Sequence, residues 1–339
     1  MTAHTNIYPI GKLPQADLIA LLQRPDPDDP RVILGPGLGH DAAVIDFGDR
    51  YLVTKCDPIT FATAEIGWYA VHVNANDVAC LGATPRWFIA TLLLPQGKTD
   101  RALVEDIFRQ IHTGCAEVGA SLVGGHTEIT HDLHRPIVIG AMFGEVLPEK
   151  LVRSDGARPG DRLLLTKGIA VEGTAILARE VGARLRDTLP AALLTRAARF
   201  LHAPGISVVR EAALLTATGA VHAMHDPTEG GVATGLREML ETADVGAVLE
   251  EDALPIYPET RAICAALGLN PLGLIASGAL LAAVAPQDAE RMAATLERAG
   301  IPATLVGTVH EEPDIVLRSA TGVRPLPTFP RDEITRLFG

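Results

Sequence analysis

Three aspartates in the N-terminal third of the chain, Asp41, Asp57 and Asp77, stand where local patterns bring at least two of them toward one point. Ala42 to Phe47 and Tyr51 to Cys56 are β-prone runs separated by Gly48, Asp49 and Arg50, so they form a hairpin. Pairing Phe47 with Tyr51 sets Asp41 opposite Asp57. A slip of one residue would spoil that pairing but leave both side chains at the same end of the ribbon. Glu65 to Leu81 carries Ile66, Ala70, Val73, Asp77 and Cys80 at helical spacing, which predicts a helix with Asp77 on its apolar stripe. Carboxylates about 4 Å apart repel by about 4 kcal/mol per pair at an effective dielectric near 20. Such a cluster needs protons, cationic side chains or a metal ion, and its oxygen-only ligands suit Mg²⁺ or a similar hard cation. The three also read as unrelated residues: a turn aspartate before a strand, one before Pro58 and a buried cap.

Other motifs sit at strand exits. His225-Asp226-Pro227-Thr228-Glu229-Gly230-Gly231 lies between a strand and a helix, where free amides would suit an anion or simply start a capped helix. Gly124-Gly125-His126-Thr127-Glu128 leaves a strand through two glycines into polar residues able to ligate or move protons, a pattern that a bulge shares. Thr166-Lys167-Gly168 with Glu172-Gly173-Thr174 matches neither a Walker A loop nor a dinucleotide fingerprint and reads as a loop. His131 and His134 read as exposed loop histidines, with no third ligand for a metal. No Gly-x-Ser-x-Gly elbow offers a nucleophile.

These groups need a scaffold of two domains, because 339 residues exceed one ordinary core. Hydrophobic residues at 47% exclude a disordered chain, and aromatics at 4% leave aliphatic and alanine packing to build the core. A net charge of −12 argues against nucleic acid or an anionic membrane as the main partner. Cys56, Cys80, Cys115 and Cys264 show no paired spacing and read as buried thiols. No secretory signal opens the chain, which makes a cytoplasmic location the expectation. Gly268 to Gln287 is uncharged but broken by Pro271, Gly273, Gly278 and Pro286, so it reads as a loop and the buried strand Ala279 to Ala285.

Strands and helices mix without strict βαβ rhythm, which predicts an α/β (α+β) protein. Residues 1–30 form a loosely packed head with a short helix near Asp17 to Gln23, and 31–150 an N-terminal mixed-sheet domain. In that domain the expected elements after the hairpin are the Asp77 helix, strand Trp87 to Leu94, helix Asp100 to Val118, strand Ser121 to Val123 and strand Pro136 to Val146. Pro148, Gly156, Pro159 and Gly160 mark a boundary over Leu147 to Asp161. A second α/β domain follows over 160–325, and 326–339 form a tail.

Gly39-His40-Asp41-Ala42-Ala43-Val44, Asp57, Asn74-Ala75-Asn76-Asp77-Val78-Ala79, Gly82-Ala83-Thr84-Pro85, Gly124 to Glu128 and the 225–231 loop together resemble the aminoimidazole-ribonucleotide-synthetase-like (PurM-like) ATP-binding superfamily over nearly the whole chain. Asp226 to Thr234 and Leu267-Gly268-Leu269-Asn270-Pro271-Leu272 look most like its hydrogenase-maturation branch, the HypE proteins. The resemblance implies a two-domain fold, an N-terminal sheet that dimerises and a C-terminal α/β sandwich, with ATP and Mg²⁺ held between them. On matching positions, Asp41, Asp57, Asp77 and Asp226 would be metal ligands, and Asp41, Asp77, His126 and Glu128 would serve catalysis. Asp57, Asn76, Gly124, Gly125, Asp226, Gly230 and Gly231 would hold the nucleotide, and the position and charge of Lys12, after Gly11, suggest a lid over its phosphates.

The resemblance has departures. HypE proteins finish in a cysteine that accepts a carbamoyl group, whereas this sequence has none after Cys264. His40-Asp41 stands where relatives often have two aspartates, and Gly125-His126-Thr127 where several have Gly-Gly-Asp-Thr. The implied activity is ATP-dependent phosphorylation or dehydration of an unidentified small acceptor. The alternatives are a small-molecule kinase like thiamine-monophosphate kinase, or a nucleotide-binding partner of a maturation complex that does not turn over.

Overall fold

The computed structural model describes residues 13, 15–22, 29–37, 39–60 and 64–337. Helix α1 (Gln15–Leu22) precedes β1 (Val32–Leu34), β2 (Ala43–Asp46), β3 (Tyr51–Ile59), α2 (Ile66–Cys80), β4 (Thr84–Pro95), α3 (Arg101–Val118), β5 (Ser121–Thr130) and β6 (Ile137–Val146). These strands form one sheet in the order β1-β2-β3-β6-β4-β5, in which β4 and β5 run parallel and the other neighbours antiparallel. Asp46 pairs with Tyr51, one residue from the expected register, because the loop spans four residues and the Phe47 N–H donates to the Arg50 carbonyl at 3.0 Å. Asp41 therefore does not face Asp57 directly, although both reach the same cavity.

Helix α2 is buried along its whole length, not only on one stripe. It lies on β3 and β6, with α3 on one flank and elements of the second half on the other. Gly140 and Gly144 of β6 make this possible. A Cβ on Gly144 would collide with Val78, and one on Gly140 would meet Asn74 Nδ2 and the Phe88 ring. Helix α3 is positioned by an Asp100 cap that accepts from the Leu103 N–H, and it ends at Gly119 in the left-handed region.

The second half contains β7 (Arg162–Thr166), α4 (Val171–Glu180), α5 (Gly182–Leu185), α6 (Ala191–Ala198), α7 (Val209–Thr216), β8 (Val221–His225), α8 (Gly231–Thr242), β9 (Gly246–Glu250), α9 (Pro258–Leu267), β10 (Leu281–Val284), α10 (Ala289–Arg298), β11 (Ala303–His310), β12 (Ile315–Ser319) and β13 (Gly322–Pro325). Its sheet runs β13-β12-β9-β11-β7-β10-β8, with β9 and β12 parallel. The strand expected over Ala279 to Ala285 appears as the shorter β10. The tail packs down rather than trailing, since Leu326, Asp332 and Ile334 are buried. Cys80, Cys115 and Cys264 are buried thiols, but Cys56 is exposed. No helix among the described residues is long and apolar enough to cross a membrane.

One apolar core runs from the first sheet through α2 into Phe200, Ile206, Val208 and Leu215, and on to Leu164 and Ala282 of the second sheet. Asn76 staples this junction. Its Nδ2 donates to the Ile206 carbonyl and its Oδ1 accepts from the Val208 N–H, both at 2.8 Å and fully buried. Asn76→Ala orphans both backbone groups, so a loss of about 2–5 kcal/mol in unfolding free energy is expected from urea titration. A loss below about 0.5 kcal/mol would contradict the staple.

Candidate functional site

The two halves enclose a cavity of about 340 Å³ whose walls include Asp41, Lys55, Asp57, Asp77, His225 and Asp226. Asp41 stands just before β2. Lys55 and Asp57 are two apart on β3, and the pleat turns both to one face. Asp77 comes from α2, while His225 ends β8 and Asp226 follows it. The sequence reading thus located all four aspartates of one site, but it missed Lys55. Lys55 Nζ lies 3.3 Å from both Asp57 and Asp77. The signal for it was the demand of clustered carboxylates for a cation, together with its i, i+2 spacing from Asp57.

His225 Nδ1 lies 2.9 Å from the Asp41 carboxylate and its Nε2 lies 3.3 Å from Glu238. Burial alone would lower the pKa of His225, but Asp41 and Glu238 outweigh it and hold the ring protonated well above the ordinary range. Burial also opposes the charge on Lys55, where Asp77, Asp57, Asp41 and Asp226 prevail and raise its pKa. The carboxylates pay the converse. Burial, with Asp226, Asp57 and Asp41 nearby, pushes Asp77 well up, and burial plus Asp41 pushes Asp226 up to about 7. Two positive groups do not compensate four buried or half-buried carboxylates.

Asp226 Oδ2 is buried without a hydrogen-bond partner, and Asp77 Oδ2, also without one, has the Lys55 ammonium 3.3 Å away, so both oxygens face a demand for positive charge. Ligand atoms of Asp41, Cys80 and Asp226 also lie within 4.8 Å of one another. Burial and the charge of Asp226 raise the Cys80 thiol well above its usual range and keep it protonated, so the donors on offer are oxygens. Hard oxygens with unpaired lone pairs fit Mg²⁺.

Other expected residues stand elsewhere. Gly124, Gly125, His126 and Glu128 were expected in a loop closing this pocket, but they lie within β5 at the edge of the sheet and do not line the cavity. Gly125 serves pairing, because a Cβ there would collide with the Ala90 carbonyl of β4. His126 Nε2 lies 3.5 Å from Glu128 in an exposed pair. Asn76 is spent on the junction described above. Gly230 and Gly231 open α8, but their amides are not free: the Gly230 N–H donates to Asp332 at 2.7 Å and the Gly231 N–H to the Thr228 carbonyl at 3.0 Å. Lys12 lies outside the described residues.

Comparison with known proteins agrees with this architecture. The N-terminal domain model of AIR synthase related proteins matches residues 39–146, and the C-terminal domain model matches 158–319. A putative hydrogenase expression/formation protein of Methanocaldococcus jannaschii is 30% identical over 292 residues, covering 84% of each chain. The carbamoyl dehydratase HypE of Cupriavidus necator is 33% identical over 264 residues, 75% of this chain and 70% of that protein. The crystal structure of a HypE in complex with ATP superposes with a TM-score of 0.71 at 26% identity, covering 89% of this chain and 90% of that one. The Escherichia coli HypE structure gives a TM-score of 0.73 at 25% identity over 89% and 95%. With both domain models matched in order across most of its length, the chain belongs to the AIR synthase related protein family, on its HypE-like side.

Proposed function

We propose that this protein binds ATP with Mg²⁺ in the cavity between its halves and uses it to phosphorylate or dehydrate a small acceptor. The observation that carries the proposal is the convergence of the buried Asp77 and Asp226 carboxylates, the latter with an oxygen left without a hydrogen-bond partner, among further carboxylates beside a protonated lysine and histidine. The ATP-bound HypE relative supports the nucleotide. Asp41, Asp77 and Asp226 would hold the ion, with Asp57 at the open side. A bound Mg²⁺ supplies neutralisation of phosphate charge.

The chain's own groups do the rest. Lys55, held 3.3 Å from both Asp57 and Asp77, would donate to a terminal phosphate oxygen. His225 is fixed between Asp41 and Glu238, so its charge orients the Asp41 carboxylate instead of shuttling protons. Phosphoryl transfer asks mainly for positioning and charge, so no protein nucleophile is required. By the same reading a maturation protein would be the partner, as HypF is in the crystal structure of a HypE–HypF complex, and a homodimer the assembly.

Incubation with ATP, Mg²⁺ and a small-molecule extract tests this reading. ADP with a phosphorylated product marks a kinase, ADP with free phosphate and a dehydrated product marks a dehydratase, and no ADP would contradict the proposal. Asp77→Asn should weaken Mg²⁺-nucleotide binding by at least about tenfold, or about 1.4 kcal/mol, while thermal unfolding shows a folded protein. Unchanged affinity would remove Asp77 from the site.

The electrostatics give a further test without ligand. Because folding raises Asp226 from 3.8 to about 7, the native state holds a proton that the unfolded chain has lost across that window. Its stabilising contribution is complete below the unfolded value and disappears as pH rises through about 7. Asp226→Asn should therefore lose less stability than wild type between about pH 5 and about pH 7.5 in chelator. Equal slopes would contradict the assignment.

A further inference from the structure

The cavity has a second polar end that the metal reading leaves unused. Glu172 sits in the first turn of α4 and Ser277 in the segment before β10, and both line the cavity beside the apolar side chains of Val73, Ile176 and Ile275. Glu172 is 5% exposed and Ser277 1%. Ser277 stands beside the Glu172 carboxyl and lowers its pKa through its hydroxyl and backbone, while Glu172 Oε2 is buried with no hydrogen-bond partner. A carboxyl with one oxygen unsatisfied is arranged to accept a hydrogen bond from something that enters the cavity.

We propose that Glu172 and Ser277 form the acceptor subsite, binding a small nitrogen-bearing molecule through an N–H donated to Glu172 Oε2 while its apolar part packs on Ile176 and Ile275. This rests on the ATP reading for the reaction, but not for the recognition itself. The charged groups acting on Glu172, Asp332 and Asp226, are both acidic, so an anionic end on the ligand is repelled there and an ammonium or amide N–H is favoured. Burial raises Glu172 to about 7, so an N–H donor stabilises the carboxylate in a site that otherwise half protonates it. An acceptor must reach the terminal phosphate, and this end adjoins the carboxylate cluster within one cavity of about 340 Å³, near the lower limit for small-ligand pockets.

The test uses n-butylammonium, butyramide and butyrate as isosteric probes, with affinities read by ligand-observed NMR at neutral pH, with and without Mg²⁺ and a nonhydrolysable ATP analogue. Wild type should bind the ammonium and the amide at least about fivefold more tightly than butyrate, and Glu172→Gln should bring the ammonium-to-butyrate ratio to within about twofold. Mg²⁺-nucleotide affinity should be unchanged in that variant. Ser277→Ala, which removes the hydroxyl beside the carboxyl but not the carboxyl itself, should reduce the same ratio and serves if Glu172→Gln unfolds. Equal binding of butyrate by wild type, or an unaltered ratio in both variants, would overturn the proposal. So would weakened nucleotide binding in Glu172→Gln, which would place the nucleotide base there instead. Absence of nucleotide binding by wild type, with the ammonium preference intact, would overturn the ATP reading and leave the subsite standing.

Discussion

Crowding of carboxylates around one ammonium group governs this molecule. Asp41, Asp57, Asp77 and Asp226 converge from four separate segments on Lys55 and His225, and burial raises the cost of each negative charge. Packing compels the convergence. Helix α2 carries Asp77 into the interior because it is covered by the first sheet beneath and by the second half above, and the core is continuous across it. Asn76, one residue away, locks that arrangement with two hydrogen bonds. The fold thus holds an electrostatic arrangement that the isolated chain would not adopt, as expected where a strained site is maintained for binding.

The same frame separates the roles of neighbouring residues. Along α2, Asn76 faces the junction and Asp77 faces the cavity. In the loop from β8 to α8, Asp226 faces the cavity while the glycine amides are consumed by Asp332 and Thr228. The tail therefore belongs to the site's scaffold, because Asp332 holds the turn from which Thr228 and Glu229 line the cavity. Anion recognition, in this account, falls to side-chain cations and a metal rather than to a loop of free amides.

Much of this was legible in the sequence. Short hairpins and helices with caps announce themselves locally, and the repulsion argument correctly required a neutralising group. What could not be read was long-range. Lys55 looks like any strand lysine until β3 is seen to end over α2. Gly124 and Gly125 look like a ligand-binding loop until the Ala90 carbonyl is seen against Gly125. The one-residue change of register reflects a four-residue turn closed by Phe47 and Arg50, which composition does not distinguish from a three-residue one. The uniform burial of α2 depends on two glycines about seventy residues later in the chain, so its own periodicity suggests only an amphipathic helix.

The most direct examination is a crystal soaked with Mn²⁺, a hard stand-in for Mg²⁺, and a nonhydrolysable ATP analogue, with the ion located by anomalous scattering. The account requires Mn²⁺ within about 2.3 Å of Asp77 and Asp226 oxygens, with Lys55 turned to a phosphate oxygen. An ion bound elsewhere, with Lys55 still seated between Asp57 and Asp77, would contradict it.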